Sequence, residues 1–133
     1  MAIQLEIVTP EARLLSMQVD SLRAPGVDGS FGVMPGHTPY VAALQPGELA
    51  YVAGGREHLY FVGGGFAEVS GDKVIVLAES AEFVENIDVD RAQRALAEAQ
   101  ERLRALREEE EAHAIERARV QRATARISLA RRR

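Results

Sequence analysis

The residues best equipped for chemistry are arginines, and most of them lie late in the chain. Arg117, Arg119, Arg122, Arg126 and Arg131-Arg132-Arg133 give the last segment a basic face and tip. Guanidinium forks suit phosphate oxygens and carboxylates. Asp88 and Arg91 stand three residues apart just upstream. On residue chemistry alone, Asp88 is a helix N-cap and Arg91 a solvated helix residue. Other chemistries are poorly served. There is no Cys, which removes a thiolate nucleophile, a thiolate metal site and a disulfide framework. His37, His58 and His113 show no ligand spacing, so no metal is expected. Gly63-Gly64-Gly65 lacks the Gly-Lys-Ser/Thr ending of a phosphate loop, and a strand pattern rather than a helix follows it, so it reads as a tight β-turn or bulge. No nucleophile–base pair or paired catalytic carboxylates emerge, so no enzyme is expected. The arginine-rich tail carries no aromatic residue, which argues against a nucleic-acid reader.

The elements that must carry these residues fall into two groups. Residues 1–86 hold all 11 Gly, all 5 Pro and every Phe and Tyr of the 133-residue chain. They carry 4 basic and 11 acidic residues, a net of −7. Residues 87–133 hold none of those turn-makers or aromatics, and 12 basic against 9 acidic residues leave +3. The overall charge of −4 is therefore two unlike modules end to end, and the basic one is suited to an acidic partner. No apolar run approaches the roughly 18–20 residues of a membrane-spanning helix. The start, MAIQLEIVTP, has no basic region and no long apolar core, so a soluble intracellular protein without a leader is expected.

The first module reads as an antiparallel β-sandwich. Gln4–Val8 alternates, Thr9-Pro10 interrupts, and Arg13–Leu22 continues as one extended run. Pro25-Gly26 and Asp28-Gly29 mark a loop. Short strands are predicted over Phe31–Met34, Tyr40–Leu44, Glu48–Ala53, His58–Val62, Gly65–Ser70 and Lys73–Ala78, with Gly and Pro signals between them. The apolar runs Leu59–Val62 and Val74–Leu77 read as central strands covered on both faces.

The second module reads as a two-helix antiparallel hairpin. Val89, Ala92, Leu96, Ala99, Leu103 and Leu106 recur at intervals of three and four. A weaker stripe runs through Val120, Ala123, Ile127 and Ala130, with Ile115 upstream. Glu108-Glu109-Glu110-Glu111 interrupts the apolar pattern and marks the turn. Yet no Gly or Pro stops the first helix, and Glu is itself a good helix former. Folded, each helix spans roughly 30 Å; opened into one rod, the 47 residues reach roughly 70 Å. Composition gives a static hairpin and a bistable one comparable weight.

Several phrases, in this order, resemble the epsilon subunits of bacterial F-type ATP synthases. They are Ile7-Val8-Thr9-Pro10, the Gly32–Pro39 segment, Gly63–Val69, Val74–Ala78, Ile87-Asp88-Val89-Asp90-Arg91-Ala92, and Arg122–Ile127. The resemblance implies a central-stalk rotor subunit, not itself an enzyme. Its sandwich binds gamma and the c-ring, and its hairpin extends along gamma into the alpha/beta head to block ATP hydrolysis. It implies a peripheral place on the cytoplasmic face of the bacterial cell membrane, held there only through the complex. Phe31, Met34, Pro35, Gly36 and His37 correspond to the gamma and c-ring contact region. Arg117, Arg119, Arg122 and Arg126 correspond to basic residues that meet the beta subunits. No cofactor is required, but some relatives bind one regulatory ATP that holds the hairpin folded. By that resemblance Glu82 is an upstream carboxylate and Asp88 the adenine-side contact. Arg91, Arg122 and Arg126 are phosphate contacts, and Ile87 and Ala92 complete the pattern. A further family arginine falls at about Glu98, a charge reversal for which Arg94 or Arg102 is the candidate compensation. A free-standing nucleotide sensor is the alternative of another class.

Overall fold

The computed structural model describes residues 2–133. The described residues fall into two compact units, divided between Phe83 and Val84. The sequence placed the boundary three residues later, after Asn86. The difference is a short 3-10 turn, Val84–Asn86, which belongs with the helices.

The first unit holds eight strands: β1 (Ile3–Val8), β2 (Arg13–Val19), β3 (Ser21–Gly26), β4 (Gly29–Val33), β5 (His37–Ala53), β6 (Arg56–Gly71), β7 (Lys73–Ala78) and β8 (Ala81–Phe83). Their order is β2-β1-β7-β6-β5-β3-β4, with β8 on β6. All pairs are antiparallel except β1 and β7, which run parallel. The long strands β5 and β6 pair with each other along almost their whole length and serve both layers of the sandwich. The first half of β6 pairs with β8 and its second half with β7.

Several sequence expectations change here. Tyr40–Leu44 and Glu48–Ala53 are one strand, as are His58–Val62 and Gly65–Ser70. The Pro46-Gly47 and Gly63–Gly65 signals are corners inside paired strands rather than turns between strands, because Pro46 faces Gly63 across the pair. Gly64 and Gly65 have φ of +99° and +129°, and a Cβ on Gly65 would lie 2.0 Å from the Leu77 carbonyl oxygen. Only glycine lets β7 come this close at the corner. Pro25-Gly26 likewise ends β3 rather than forming the loop, which is the two-residue turn Val27-Asp28. Conversely, the predicted single run Arg13–Leu22 is two strands. The chain passes at Asp20 from pairing with β1 to pairing with β5, and the Asp20 N–H donates to the Val52 carbonyl at 2.7 Å.

One core fills the sandwich. Ile3, Leu5 and Ile7 of β1, Val74 and Val76 of β7 and Val33 of β4 are fully buried in it. The alternation that sends these residues inward sends others outward. Val74–Leu77 is therefore covered on one face only, and Leu77 is 49% exposed. Leu59–Val62 comes nearer the expectation, with Tyr60, Phe61 and Val62 buried.

The second unit holds helix α1 (Val89–Arg104) and helix α2 (Glu111–Arg131), packed on one another. Asp88 caps α1, its Oδ1 accepting the Arg91 N–H at 3.1 Å. The turn lies between Arg104 and Glu111, as the glutamate run predicted. Its charges fall favourably: Arg102 and Arg104 end α1, and the glutamates lead into α2. In α2 the apolar stripe holds at Ala123, Ile127 and Ala130, which are buried. Ile115 departs from it and is 54% exposed. At the far end Arg133 Nη1 donates to the carbonyls of Val84, Glu85 and Ile87 at 3.0–3.1 Å. This clasp ties the end of α2 to the 3-10 turn and the entry to α1.

Candidate functional site

The predicted contact segment sits at one end of the sandwich. Met34 is 63% exposed, and Pro35 and Gly36 form the turn into β5. The Gly36 N–H donates to Asp72 Oδ1 at 2.7 Å, which pins this turn to the β6–β7 hairpin; the φ of +77° at Gly36 is one that glycine accepts readily. His37 donates from Nδ1 to the Thr38 carbonyl at 2.8 Å, and its ring stands 5.8 Å from that of Tyr40. Phe31 is half-buried and packs edge-on against Tyr40, with ring centroids 5.3 Å apart. The segment is thus a rigid rim that presents Met34, while Phe31 supports it from beneath.

A larger apolar feature was missed from the sequence. Along β5, β6, β7 and β1, Ala43 faces Phe66, Phe66 faces Leu77, and Leu77 lies beside Val8. Two residues along β5, Val41 points to the same outer face. Val41, Phe66 and Leu77 are 66%, 56% and 49% exposed. A shallow groove runs beside them, lined by Val8, Thr9, Pro10, Phe66 and Leu77. Contiguous exposed apolar groups of this kind mark an interaction surface. The signal was present in the apolar residues at both parities of Val74–Leu77. It was misread because burial within one chain and burial by a second chain leave the same pattern.

The hairpin carries the arginines. Arg91 is exposed on the first turn of α1, and antiparallel packing sets this turn beside the last turns of α2. Arg122 and Arg126 are half-buried on α2, and Arg126 already has a partner. Ile87 and Ala92 are buried and position the backbone rather than offering polar groups. Glu98 is exposed on α1, as is Arg94, and Arg102 faces Glu116 at 3.8 Å. Arg117 is exposed, whereas Arg119 is held by Glu116 at 2.9 Å. Glu82 lies on β8 in the sandwich unit, half-buried, and has a partner of its own. Among the described residues no group of His, Asp and Glu is arranged to hold a metal ion. Nor is any helix there long and apolar enough to cross a membrane.

A sandwich with an uncovered apolar face, followed by an arginine-bearing hairpin, is an architecture with known counterparts. Residues 2–84 match the family model of the ATP synthase delta/epsilon chain β-sandwich domain. The chain belongs to that family. Its relatives within the family include ATP synthase epsilon chains. It is 58% identical over 130 residues to the ATP synthase epsilon chain of Anaeromyxobacter dehalogenans, covering 98% of both chains. It is 51% identical over 125 residues to that of Myxococcus xanthus, covering 94% of this chain and 92% of the other. A chain in the Euglena gracilis mitochondrial ATP synthase, solved as OSCP/F1/c-ring, superposes with a TM-score of 0.76 at 26% identity over 93% of this chain and 78% of that one. A chain of the Tetrahymena thermophila central stalk and c-ring shares the fold at a TM-score of 0.69 and 11% identity, covering 98% and 97%. Within the delta/epsilon family the chain therefore stands with the ATP synthase epsilon chains.

Proposed function

We propose that the chain is a non-catalytic docking and regulatory subunit of the rotating stalk. Its sandwich joins gamma to the c-ring, and its hairpin restrains ATP hydrolysis by the alpha/beta head. The observation that carries this reading is the uncovered row of Val41, Phe66 and Leu77 on an otherwise well-packed sandwich. A face so apolar is best satisfied by a permanent partner, and gamma is the partner the family supplies. The Met34–His37 rim, at the sandwich end, is the candidate c-ring contact. Membrane association is then peripheral, through the complex, on the cytoplasmic face.

The hairpin is the regulatory element in this reading. Opened along gamma, it carries Arg117, Arg119, Arg122 and Arg126 toward acidic groups of the beta subunits. Folded, it gathers Arg91 on α1 and Arg122 and Arg126 on α2 within one helical unit, a set suited to the phosphates of one regulatory ATP. Asp88 stands at the same helix entry for the adenine side. Glu98 brings negative charge to α1, so affinity is expected to be lower than a further arginine there would give.

The test is reconstitution of the complex with the chain ended after Phe83. The expected result is normal assembly with ATP hydrolysis raised several-fold. Failure to assemble would refute the docking role of the sandwich, and unchanged hydrolysis would refute the inhibitory role of the hairpin. Calorimetry of the full chain at millimolar ATP tests the nucleotide site. Heat of binding that disappears in Arg91→Ala/Arg126→Ala is expected, and no binding to the unmodified chain would remove that part of the reading.

A further inference from the structure

The inward stripe of α2 does not stop at Val120. Counting back by four and then three gives Glu116 and His113, so the complete seam reads 113, 116, 120, 123, 127 and 130. The half of the seam far from the turn is apolar and the half beside the turn is not. Glu116 is 6% exposed, and Nδ1 of His113 is buried with no hydrogen-bond partner among the described residues. Ile115, the residue just before, points outward. The order is the reverse of what stability favours: the carboxylate lies in the seam and the isoleucine in water.

Glu116 is retained there by two arginines. Arg119, one turn on in α2, donates from Nη1 to both carboxylate oxygens at 2.9 and 3.3 Å. Arg102 reaches the same carboxylate across the seam from α1, at 3.8 Å. The first pair lies within one helix and survives any separation of the helices. The second joins the helices and is lost when they part. A buried carboxylate costs free energy to keep dry, and an apolar residue of similar volume in its place is often neutral or stabilising.

We propose that Arg102 and Glu116 form a polar latch that sets how readily the hairpin opens, with Glu116 weakening the seam beside the turn and Arg102 limiting that weakness. Separation then begins at the turn, where the seam is polar, while the apolar seam and the Arg133 clasp hold the opposite end. This deepens the regulatory reading above and rests on it for its functional consequence, though not for its physical content.

Native-state hydrogen exchange of the α2 backbone amides in the full-length chain tests the latch, because it reads rare openings without the complex. Arg102→Ala is expected to speed exchange about two- to fivefold, the range of a partly exposed ion pair. Glu116→Leu is expected to slow it below the unmodified chain. Combining the two should leave exchange where Glu116→Leu alone puts it, since the carboxylate that Arg102 serves is gone. Swapping the charges, Arg102→Glu with Glu116→Arg, should restore exchange relative to Arg102→Glu alone. Unchanged exchange in Arg102→Ala, or faster exchange in Glu116→Leu, would overturn the latch. In reconstituted complexes the slower-opening Glu116→Leu chain should inhibit hydrolysis less. If exchange behaves as stated and hydrolysis does not respond, the inhibitory reading fails and the latch stands.

Discussion

Arg133 shows how much one side chain can do at the end of a helix. Its guanidinium takes three backbone carbonyls that would otherwise face solvent or one another. Charge-assisted bonds of this sort contribute about 1–3 kcal/mol together once side-chain ordering is deducted. Arg133→Ala should therefore fray the last turn of α2 and raise amide exchange around Leu129 without altering the sandwich; exchange confined to its unmodified rate would contradict the clasp. Tyr60 offers a second residue-scale test. Burial, and then the neighbouring Tyr51 charge, push its hydroxyl above the ordinary value of 10.0. Burial pushes Tyr51 upward as well. A raised folded-state value means that the unfolded chain loses its proton first as pH climbs. Sandwich stability should hold below about pH 10 and fall from there as pH rises through the raised values. In Tyr60→Phe that alkaline fall should be shallower, as followed by denaturant midpoints across the pH range.

At the scale of the element, the corner glycines decide whether two long strands can serve two layers. β6 needs a bend where it exchanges β8 for β7, and Gly65 provides it by admitting the Leu77 carbonyl into the space a Cβ would fill. Gly65→Ala should cost about 3 kcal/mol or more, through positive φ and overpacking against backbone that cannot yield. Thermal unfolding should show a midpoint many degrees lower for it than for Gly29→Ala, where a Cβ meets nothing within 4 Å. The helices depend on no such point. Their pairing follows from the intervals of three and four, visible in the sequence from Val89 to Leu106. What the intervals concealed was the content of the α2 seam. A search for apolar residues finds Ile115 and passes over His113 and Glu116, because polar residues are not expected where the spacing puts them.

For the whole molecule, the consequential surface is the row across β5, β6 and β7. Phe66→Glu with Leu77→Glu should leave the isolated chain folded, since both side chains are already half in water, and should abolish its binding to gamma in a pull-down with the purified subunit. A folded double variant that still binds gamma would place the docking face elsewhere. Much of this architecture was legible beforehand. The division into a −7 module rich in Gly and Pro and a +3 module without either follows from composition, because turns need glycine and proline while long helices exclude them. The turn at the four glutamates and the N-cap at Asp88 were legible for the same local reason. Strand continuity was not. A Gly or Pro signal reads alike whether the chain reverses or merely bends, and only the partner strand across Pro46 and Gly63 distinguishes the two. Nor could alternation alone tell an inward face from an outward one that awaits a partner. The sequence by itself determined most of the strand-forming segments and both helices, where most of the turns fall, and that two modules of opposite charge are joined. The tertiary structure decided which side of β7 faces water, which residues share the helical seam, and what Arg133 and Glu116 hold, because those depend on distances between residues far apart in the chain.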